Sequence, residues 1–327
     1  MNPQLAKRLI AGVGIAALVY LALAIFADWE QLRANLASFP WPHALLVLAL
    51  SCLNYLVRFV RWELYLRRLN VHVQQAQSMR IFLCGLAMSI TPGKLGELLK
   101  AYLVQQHQGT PVSRTAPIVI AERVTDLLAL VVLILVGSVI YRTGFIAVVI
   151  STTVVCASIV MLSSERVAGI GLRVVAATPG LRRQRGRLES AYESVRFLIQ
   201  PSLLVQSSLL GVVAWFAECV GFTVVLHGLG IDISTAYATF TYALSTVIGA
   251  LLVTPGGVGG TEGSMITMLM AADVSKELAV ASTFLIRIAT LWFAVLLGAV
   301  VLLLNHRHEP KRHPEEGQLS TASGTPG

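Results

Sequence analysis

The chain has 327 residues, of which 55% are hydrophobic and 13% are charged, with a formal net charge of +8. This composition excludes an ordinary soluble domain, in which about a quarter of residues are charged, and indicates an integral membrane protein. The positive charge does not indicate a nucleic-acid binder. Its lysines and arginines are concentrated between the apolar runs, where such residues set membrane topology.

Six apolar runs are long enough to cross a bilayer, which takes about 20 helical residues. In chain order they lie at 7–26, 43–66, 116–140, 145–163, 203–226 and 278–304. The first run resembles a signal peptide, but it is too long and lacks a small-residue cleavage site, so a retained helix is predicted. Residues 1–305 are therefore expected to form one transmembrane domain, and the polar tail at 306–327 to be disordered.

Two further apolar stretches, 79–104 and 235–272, are each interrupted by the motif T-P-G-x-x-G. Proline and glycine break helices, and lipid tolerates open backbone only where protein or a water-filled cavity covers it. We therefore predict two broken, re-entrant helical hairpins, although the sequence leaves open whether the second one re-enters or spans. The helix-breaking residues are Thr91, Pro92, Gly93 and Gly96 in the first copy and Thr254, Pro255, Gly256 and Gly259 in the second.

The distribution of lysine and arginine predicts the orientation. With the N-terminus inside, the cytoplasmic segments hold 16 of these residues and the outer segments hold 3, which agrees with the positive-inside rule. Both termini are then cytoplasmic, and the two hairpins enter from opposite sides. The units 43–140 and 203–304 would thus be inverted repeats, an arrangement typical of transporters.

Several charged residues fall within the membrane segments, where a central charge costs about 2.5–3.5 kcal/mol to insert. Arginine binds phosphate through a planar donor fork, and a central charge must pair, line water or lie near an interface. The candidates for contacting an anionic head group are Arg58, Arg61, Lys94, Arg123 and Arg287. The candidates for charge balance or proton coupling are Glu97, Glu122, Asp126, Glu218 and Glu262.

Structural alternatives stand beside these roles. Glu122 and Asp126 share a helix face and could form a structural ion-pair cluster, while Arg58 and Arg61 could extend to the cytoplasmic interface. Glu262 could cap a helix that begins after the second motif. Glu218 and Arg287 have no opposite charge nearby in sequence, so they must pair with each other or a hairpin, or face a cavity.

The sequence contains no constellation typical of an enzyme. Its four cysteines stand singly in apolar stretches, and neither T-P-G-x-x-G copy continues into the G-K-[ST] of a nucleotide-binding loop. No catalytic residue, metal site or cofactor is therefore predicted. The tryptophans Trp62, Trp215 and Trp292 are interpreted as packing or interfacial residues.

Three stretches resemble the lysylphosphatidylglycerol synthase transmembrane-region family, whose members are also called flippase-like. These are the residues from Thr91 to Tyr102, Glu122-Arg123-Val124-Thr125-Asp126, and the run from Thr254 to Glu262. The resemblance covers about residues 7–304 and implies a multi-pass protein related to the lipid-flipping half of aminoacyl-phosphatidylglycerol enzymes. The soluble aminoacyl-transfer domain of the full synthase is not found after the last helix, so lysine transfer is not expected.

The expected protein is all-α and polytopic, with about six full spans and two re-entrant hairpins, and lies in the cytoplasmic (inner) membrane. Its expected function is to move an amphiphile with an anionic head group, a phospholipid or a polyprenyl-linked sugar, across that membrane. The alternative is a non-transporting accessory or scaffold for a lipid- or glycan-synthesis complex. The expected partners are the lipid substrate and, as a candidate, a separate lipid-modifying enzyme or glycosyltransferase, with no nucleic acid.

Overall fold

The computed structural model describes residues 17–91, 96–141, 185–252 and 254–308, with isolated positions at 14, 146, 149, 150, 152, 153 and 157. The regular secondary structure of these residues is helical, as the sequence predicts. In chain order the helices are α1 (Ala17–Phe26), α2 (Trp29–Ala37), α3 (Trp41–Arg68), α4 (Gln75–Leu86), α5 (Leu99–Gln108), α6 (Val112–Thr115), α7 (Pro117–Tyr141), α8 (Arg185–Leu198), α9 (Pro201–Gly228), α10 (Thr235–Leu251), α11 (Gly260–Met270), α12 (Lys276–Arg287) and α13 (Phe293–His308).

Within the described residues, four stretches of helix are long and apolar enough to cross a membrane. They are Trp41–Arg68, Val112–Ile140, Pro201–Gly228 and Lys276–Leu304, and each contains or closely matches a predicted span. The first predicted span is described only from Ala17 onward, as α1. The span at 145–163 lies almost entirely outside the described residues, so the count of six spans stays a prediction. The tail beyond residue 308, Pro92, Gly93 and Lys94 also lie outside them.

Helices α3 and α9 are built alike. Both carry proline in the first turn, where a missing N–H costs nothing. After each helix one residue takes a left-handed conformation, with φ of 53° at Asn70 and 75° at Gly230. The next amide then donates back to a carbonyl of the helix, at 2.9 Å in both cases, which is a common way to end a helix.

The same two helices pack antiparallel. Asn54 Nδ2 donates to the Ala214 carbonyl at 2.8 Å across a spacing of 160 residues. Towards the C-terminal end of α3, Arg61 lies beside Gly211 of α9, and towards its N-terminal end, Val47 lies beside Gly221. Residue numbers thus rise in one helix as they fall in the other, which is the geometry that inverted repeats require.

Each broken segment returns to the end of the bundle where it began. The first hairpin (75–108) follows α3, and Arg114, just beyond it, donates to the Leu69 carbonyl at the end of α3 at 2.7 Å. In the second hairpin (235–270), Tyr237 Oη donates to the Met268 carbonyl at 2.7 Å. Because α3 and α9 are antiparallel, the two hairpins enter from opposite ends, while their depth in a bilayer stays a prediction.

The two hairpins meet at their breaks. The first narrows into a 3₁₀ turn at Ala87–Ile90, and the second turns at Pro255–Gly257. Ile90, Val258 and Leu291 form a small buried cluster between them. The second turn depends on glycine, because Gly256, Gly257 and Gly259 have φ of 63°, 71° and 89°, a region that other residues rarely adopt.

The last apolar helix is interrupted by a π-helical turn, Ile288–Trp292, between α12 and α13. The Tyr55 hydroxyl of α3 donates to the Thr290 carbonyl within this turn at 2.6 Å. Such π turns are rare and occur often at functional sites. This one begins directly after Arg287, a candidate residue of the sequence analysis.

Candidate functional site

A cavity of about 310 Å³ lies where the two breaks, α3, α7 and α9 come together. Its wall contains Thr254, Gly256 and Gly257 of the second motif and Ser89 of the first break. Five candidate residues from the sequence also line it: Arg58, Arg123, Asp126, Glu218 and Arg287. The chain therefore collects charges from distant segments around one space between the repeats.

Arg287 is held by the second hairpin. Its Nε donates to Glu262 Oε1 at 2.6 Å, and its Nη2 donates to the Gly256 carbonyl at 2.7 Å. Arg287 is 7% exposed and Glu262 is fully buried. Arg287 therefore faces the interior of the bundle beside the second hairpin, and its ion-pair partner is Glu262.

Glu262 is also the cap of its own helix. Its second carboxylate oxygen, Oε2, accepts from the Gly259 amide at 2.7 Å, and Tyr20 Oη donates to Oε1 at 3.2 Å. Capping and ion pairing were alternatives in the sequence analysis, and one carboxylate does both. The pair therefore fixes the start of α11 against α12 and leaves Arg287 at the cavity wall.

The first repeat contains the matching pair. Arg123 Nη2 lies 3.1 Å from Glu97 Oε2 and 3.4 Å from Asp126 Oδ2. In both repeats the glutamate after the T-P-G-x-x-G motif thus binds the arginine of the next apolar segment, 26 residues later in the first and 25 in the second. The Arg123 side chain is 26% exposed, so it is the more accessible of the two arginines.

A second layer of ion pairs lies behind this wall. Lys100 Nζ is 2.6 Å from Glu122 Oε2 and 3.7 Å from Glu97 Oε2. Arg61 Nη2 is 2.7 Å from Asp126 Oδ1, which also accepts from the Trp215 indole at 3.1 Å. Arg61, Lys100 and Glu122 are buried and do not line the cavity. These side chains therefore form ion pairs in the interior of the bundle, and Arg61 does not extend to an interface.

Arg58 differs from every other arginine of the cluster. It is 8% exposed, and among the described residues no carboxylate lies within ion-pair distance of it, whereas Arg61, Arg123 and Arg287 each have one. Leaving one buried charge without a partner is strongly unfavourable. The carboxylates of Asp126, Glu97, Glu122 and Glu218 stabilise its charge through space. The guanidinium lies at the cavity wall, where an anion inside the cavity can approach it directly.

Glu218 is the counterpart of Arg58 in the second repeat. The spacing of 160 residues that relates Asn54 to Ala214 also relates Asn70 to Gly230 and Arg58 to Glu218. Glu218 Oε2 accepts from the Tyr242 hydroxyl at 2.6 Å, and both residues line the cavity. Equivalent positions of the two repeats thus present opposite charges to the same space.

The motif residues have mainly structural contacts. Thr91 Oγ1 accepts from the Gly96 amide at 2.8 Å and donates to the Met88 carbonyl at 2.7 Å, which closes the first break. Pro255 is buried. Thr254 lines the cavity, and its hydroxyl has no hydrogen-bond partner among the described residues. The placement of Pro92, Gly93 and Lys94 is outside the described residues.

Comparison with known proteins agrees with this architecture. The sequence profile of the family described as the lysylphosphatidylglycerol synthase TM region matches residues 9–298. The chain belongs to this family. The match includes both hairpins and every charged residue of the cavity wall, so the family resemblance extends to the whole described site.

Three similar proteins carry the name UPF0104 membrane protein. The one from Methanothermobacter thermautotrophicus is 25% identical over 268 residues, which cover 74% of this chain and 79% of that protein. The one from Pyrococcus horikoshii is 22% identical over 291 residues, covering 80% and 87%. The one from Methanocaldococcus jannaschii is 24% identical over 231 residues, covering 68% and 97%.

Sequence reasoning missed the aromatic side chains of the site in this family member. Tyr55, Trp215 and Tyr242 line the cavity and hydrogen-bond Thr290, Asp126 and Glu218 respectively. Trp215 had been assigned to packing or an interface, which is incomplete. The available signal was the helical spacing of Tyr55 and Trp215, three residues before Arg58 and Glu218, which puts each pair on one face.

Proposed function

We propose that this lysylphosphatidylglycerol synthase TM-region protein moves an amphiphile with an anionic head group across the cytoplasmic membrane. The observation that carries the proposal is Arg58, a buried guanidinium at a cavity wall that forms no direct ion pair among the described residues. A phosphate group supplies both the charge and the acceptor geometry that a guanidinium prefers. The substrate classes are those expected from the sequence, a phospholipid or a polyprenyl-linked sugar.

The paired arginines support this proposal in a different way. Arg123 and Arg287 each form an ion pair with a glutamate of a hairpin, so they stabilise the cavity wall. Transporters with inverted repeats bind their substrates between broken helices near the membrane midplane. In this arrangement a lipid head group would occupy the cavity while its chains remain in the bilayer, and no enzymatic step is needed.

The second candidate function is a non-transporting scaffold for a lipid-modifying enzyme or glycosyltransferase. It is favoured by the buried pairs of Arg61 with Asp126 and Lys100 with Glu122, which stiffen the bundle and of which only Asp126 reaches the cavity wall. A scaffold gives no reason for a cavity whose wall presents Arg58 without a direct ion pair. Transport is therefore the better-supported function.

The test is lipid translocation by the purified protein in vesicles. Fluorescent phospholipids are placed in both leaflets, and those that reach the outer leaflet are quenched by an impermeant reductant. We expect the native protein to translocate lipid and Arg58→Ala to be slower by about tenfold or more, because charged hydrogen bonds contribute about 1.5–3 kcal/mol. Arg33→Ala is the matched control, since Arg33 is exposed on α2.

Two results contradict the proposal. Folded native protein that translocates no lipid of any head group would favour the scaffold. Equal rates for Arg58→Ala and Arg33→Ala would show that the unpaired guanidinium does not contact the moving lipid. Circular dichroism and gel filtration of each variant establish that it is folded.

A further inference from the structure

The segments that follow the two hairpins line the cavity with equivalent residues. In α7 the lining residues are Arg123, Asp126, Leu127 and Leu130, and in the stretch from α12 to α13 they are Arg287, Thr290, Leu291 and Ala294. Each member of the second set follows its counterpart by 164 residues (Arg123 and Arg287, for example). The spacing i, i+3, i+4, i+7 is that of one helix face. The two repeats therefore turn the same face of this segment toward the cavity.

The leading helices of the two hairpins, α4 and α10, do not correspond in the same way. The motifs begin at Thr91 and Thr254, so equivalent positions of the hairpins are 163 residues apart. Three residues near the end of α10 line the cavity: Thr246, Gly249 and Ala250. Among the described residues, their counterparts in the first hairpin do not line it: Leu83, Leu86 and Ala87. Ala250 is exposed, whereas Ala87 is 1% exposed. The two hairpins therefore differ in whether this end of the leading helix is open or covered.

Helix α13 covers the first hairpin directly beside its break. A Cβ added to Gly298 would lie 2.3 Å from the Ala87 amide nitrogen and 2.6 Å from the Leu83 carbonyl oxygen. Ala87 precedes Thr91, the first residue of the motif, by four positions, which is about one helical turn. The seam between α4 and α13 is thus closed beside the cavity.

The seam between α7 and α10 is closed at its other end. A Cβ added to Gly137 would lie 2.8 Å from Phe240 Cβ and 3.0 Å from the Ala236 carbonyl oxygen. Phe240 precedes Ala250 by ten residues, which is about 15 Å along a helix. Ala250 both lines the cavity and is exposed, and Arg123 of α7, also in the cavity wall, has a side chain that is 26% exposed. The cavity therefore reaches the surface of the described bundle between these two helices.

The surroundings of this opening are apolar. Leu251 and Leu252, which follow Ala250, are 49% and 58% exposed, and Ile120, one turn before Arg123, is 43% exposed. In a membrane protein, exposed apolar side chains of this kind mark a surface that faces lipid. The cavity itself, at about 310 Å³, lies at the small end of ligand pockets. A lipid would therefore place its head group inside while its chains pass through the opening into the bilayer.

We propose that the lipid exchanges sideways between the cavity and one leaflet through the opening between α7 and α10, and with the other leaflet through the equivalent seam between α4 and α13. The second seam is closed in this structure. Because the repeats are inverted, the two seams face opposite sides of the membrane, and opening one while closing the other gives alternating access. The inference rests on the proposed function and adds the route by which the lipid reaches Arg58.

The route is tested by filling the opening. Ala250→Trp places an indole there, and Ala49→Trp is the matched control, because Ala49 is an exposed alanine of α3 that does not line the cavity. Both variants are compared with the native protein in the vesicle translocation assay. We expect Ala250→Trp to slow translocation by about tenfold or more and Ala49→Trp to leave it close to the native rate.

A second measurement applies if Ala250→Trp does not fold. Ala250→Cys, in a background with Cys52 and Cys156 replaced by serine, is reconstituted, and its translocation rate is measured before and after alkylation with N-phenylmaleimide. The protein is already folded when the phenyl group is attached. We expect alkylation to slow translocation by about tenfold or more, and alkylation of Ala49→Cys in the same background to leave the rate nearly unchanged.

Thiol reactivity also tests the difference between the two seams. In the same background, Ala87→Cys should react with N-phenylmaleimide far more slowly than Ala250→Cys, because α13 covers Ala87 and Ala250 is exposed. Reaction of Ala87→Cys as fast as that of Ala250→Cys would show that both seams are open, and the assignment of one open and one closed seam would be wrong.

The route and the proposed function fail separately. If the native protein translocates lipid and Ala250→Trp is as fast as Ala49→Trp, translocation stands and the route is wrong. If the native protein translocates no lipid, the proposed function fails and calorimetric titration tests the opening by itself. Ala250→Trp should then weaken the binding of dihexanoyl phosphatidylglycerol by about tenfold or more and leave that of glycerol 3-phosphate nearly unchanged, because only the former has chains that pass through the opening. Equal losses for both probes, or no binding of either to the native protein, would overturn the route.

Discussion

At the scale of single residues, the arginines in the described membrane segments separate into those with an ion-pair partner and Arg58, which has none among the described residues. Arg61, Arg123 and Arg287 each have a carboxylate within 3.1 Å. A buried pair adds little stability over apolar residues, but removing one partner costs about 3–5 kcal/mol. The pairs are therefore sensitive to single substitutions for reasons unrelated to transport.

The Glu262–Arg287 pair gives a prediction about stability. Arg287→Gln alone should lower the unfolding free energy by about 3–5 kcal/mol, because it leaves the Glu262 charge buried without its partner. Adding Glu262→Gln should restore part of this loss, since residues in contact are coupled. Thermal unfolding in detergent measures both changes. The control is Lys276→Gln with Glu277→Gln, which removes a partly exposed pair at 3.9 Å and should have little effect.

A double variant as unstable as the sum of its two single variants would contradict this coupling. Arg287→Lys is informative beside it, because lysine keeps the charge but cannot reach both Glu262 and the Gly256 carbonyl with a planar fork. We expect Arg287→Lys to be intermediate in stability. If that variant were as stable as the native protein, the positive charge at this position would be sufficient for stability and the geometry of the guanidinium would contribute nothing.

Part of this residue-level assignment could be made from the sequence. An arginine in the apolar run 278–304 must face the protein interior, and Arg287 does. The choice of Glu262 as its partner could not be made, because it depends on the hairpin folding back against α12. The sequence also gave no reason to separate Arg58 from Arg61, which are one helical turn apart but differ in having Asp126 within reach.

At the scale of elements, the breaks are held by close backbone packing. Gly298 of α13 lies against the 3₁₀ turn of the first hairpin, where an added Cβ would be 2.6 Å from the Leu83 carbonyl oxygen and 2.9 Å from Ala87 Cα. Backbone atoms cannot rotate away from such a contact as a flexible side chain can. Helix α13 therefore requires glycine here for the hairpin to keep its position, as in other membrane helices that pack closely.

Gly298→Ala should accordingly destabilise the protein by about 1–3 kcal/mol, which is typical of overpacking. Gly263→Ala is the matched control on α11, because a Cβ there meets nothing within 4 Å, and alanine is the better helix former. Thermal unfolding should rank native protein close to Gly263→Ala and well above Gly298→Ala. Equal unfolding temperatures for the two variants would contradict the close packing of α13 on the first break.

The π turn gives a second prediction at this scale. Tyr55→Phe removes a hydroxyl that donates to the Thr290 carbonyl, which also accepts from the Phe293 amide, so we expect a loss of about 0.5–1.5 kcal/mol, the net contribution of one hydrogen bond. Tyr102→Phe removes a hydroxyl whose partner is the exposed Gln106 and should be nearly neutral. Both are compared by chemical unfolding in detergent. A neutral Tyr55→Phe would mean that the π turn does not depend on α3.

The elements that the sequence predicted are those that a long run of apolar residues is enough to identify. The long apolar helices, such as α3 and α9, agree with the predicted spans to within a few residues. The π turn left no signal, because Ile288–Trp292 is ordinary apolar helical sequence and its geometry arises from packing against Tyr55. The helices α2 and α8 were also missed, since both are short and polar enough to be interpreted as loops.

At the scale of the whole molecule, two structurally similar units pack in opposite directions. Helices α3 and α9 are antiparallel, share their N-terminal proline and their left-handed ending, and each leads into a broken hairpin. The repeated motif made this architecture predictable. The opposite charges at Arg58 and Glu218 could not be predicted in the same way. These two positions are recognised as equivalent only when the ends of α3 and α9 are superposed.

The orientation of this bundle in the membrane is the last prediction. Lys276 begins α12, and Ser190 lies on α8, which packs beside α6. The distribution of lysine and arginine predicts that Ser190 faces the cytoplasm and that Lys276 faces the outside. In a background with Cys52 and Cys156 replaced by serine, Lys276→Cys should react with an impermeant maleimide in intact cells. Ser190→Cys should react only after permeabilisation. If residue 190 faced the outside, the basic residues on either side of it would have had to cross the membrane as well. Cys84 and Cys219 are buried and serve as the unreactive baseline. Labelling of Ser190→Cys in intact cells, with Lys276→Cys protected, would reverse the orientation and place the first hairpin on the outer side.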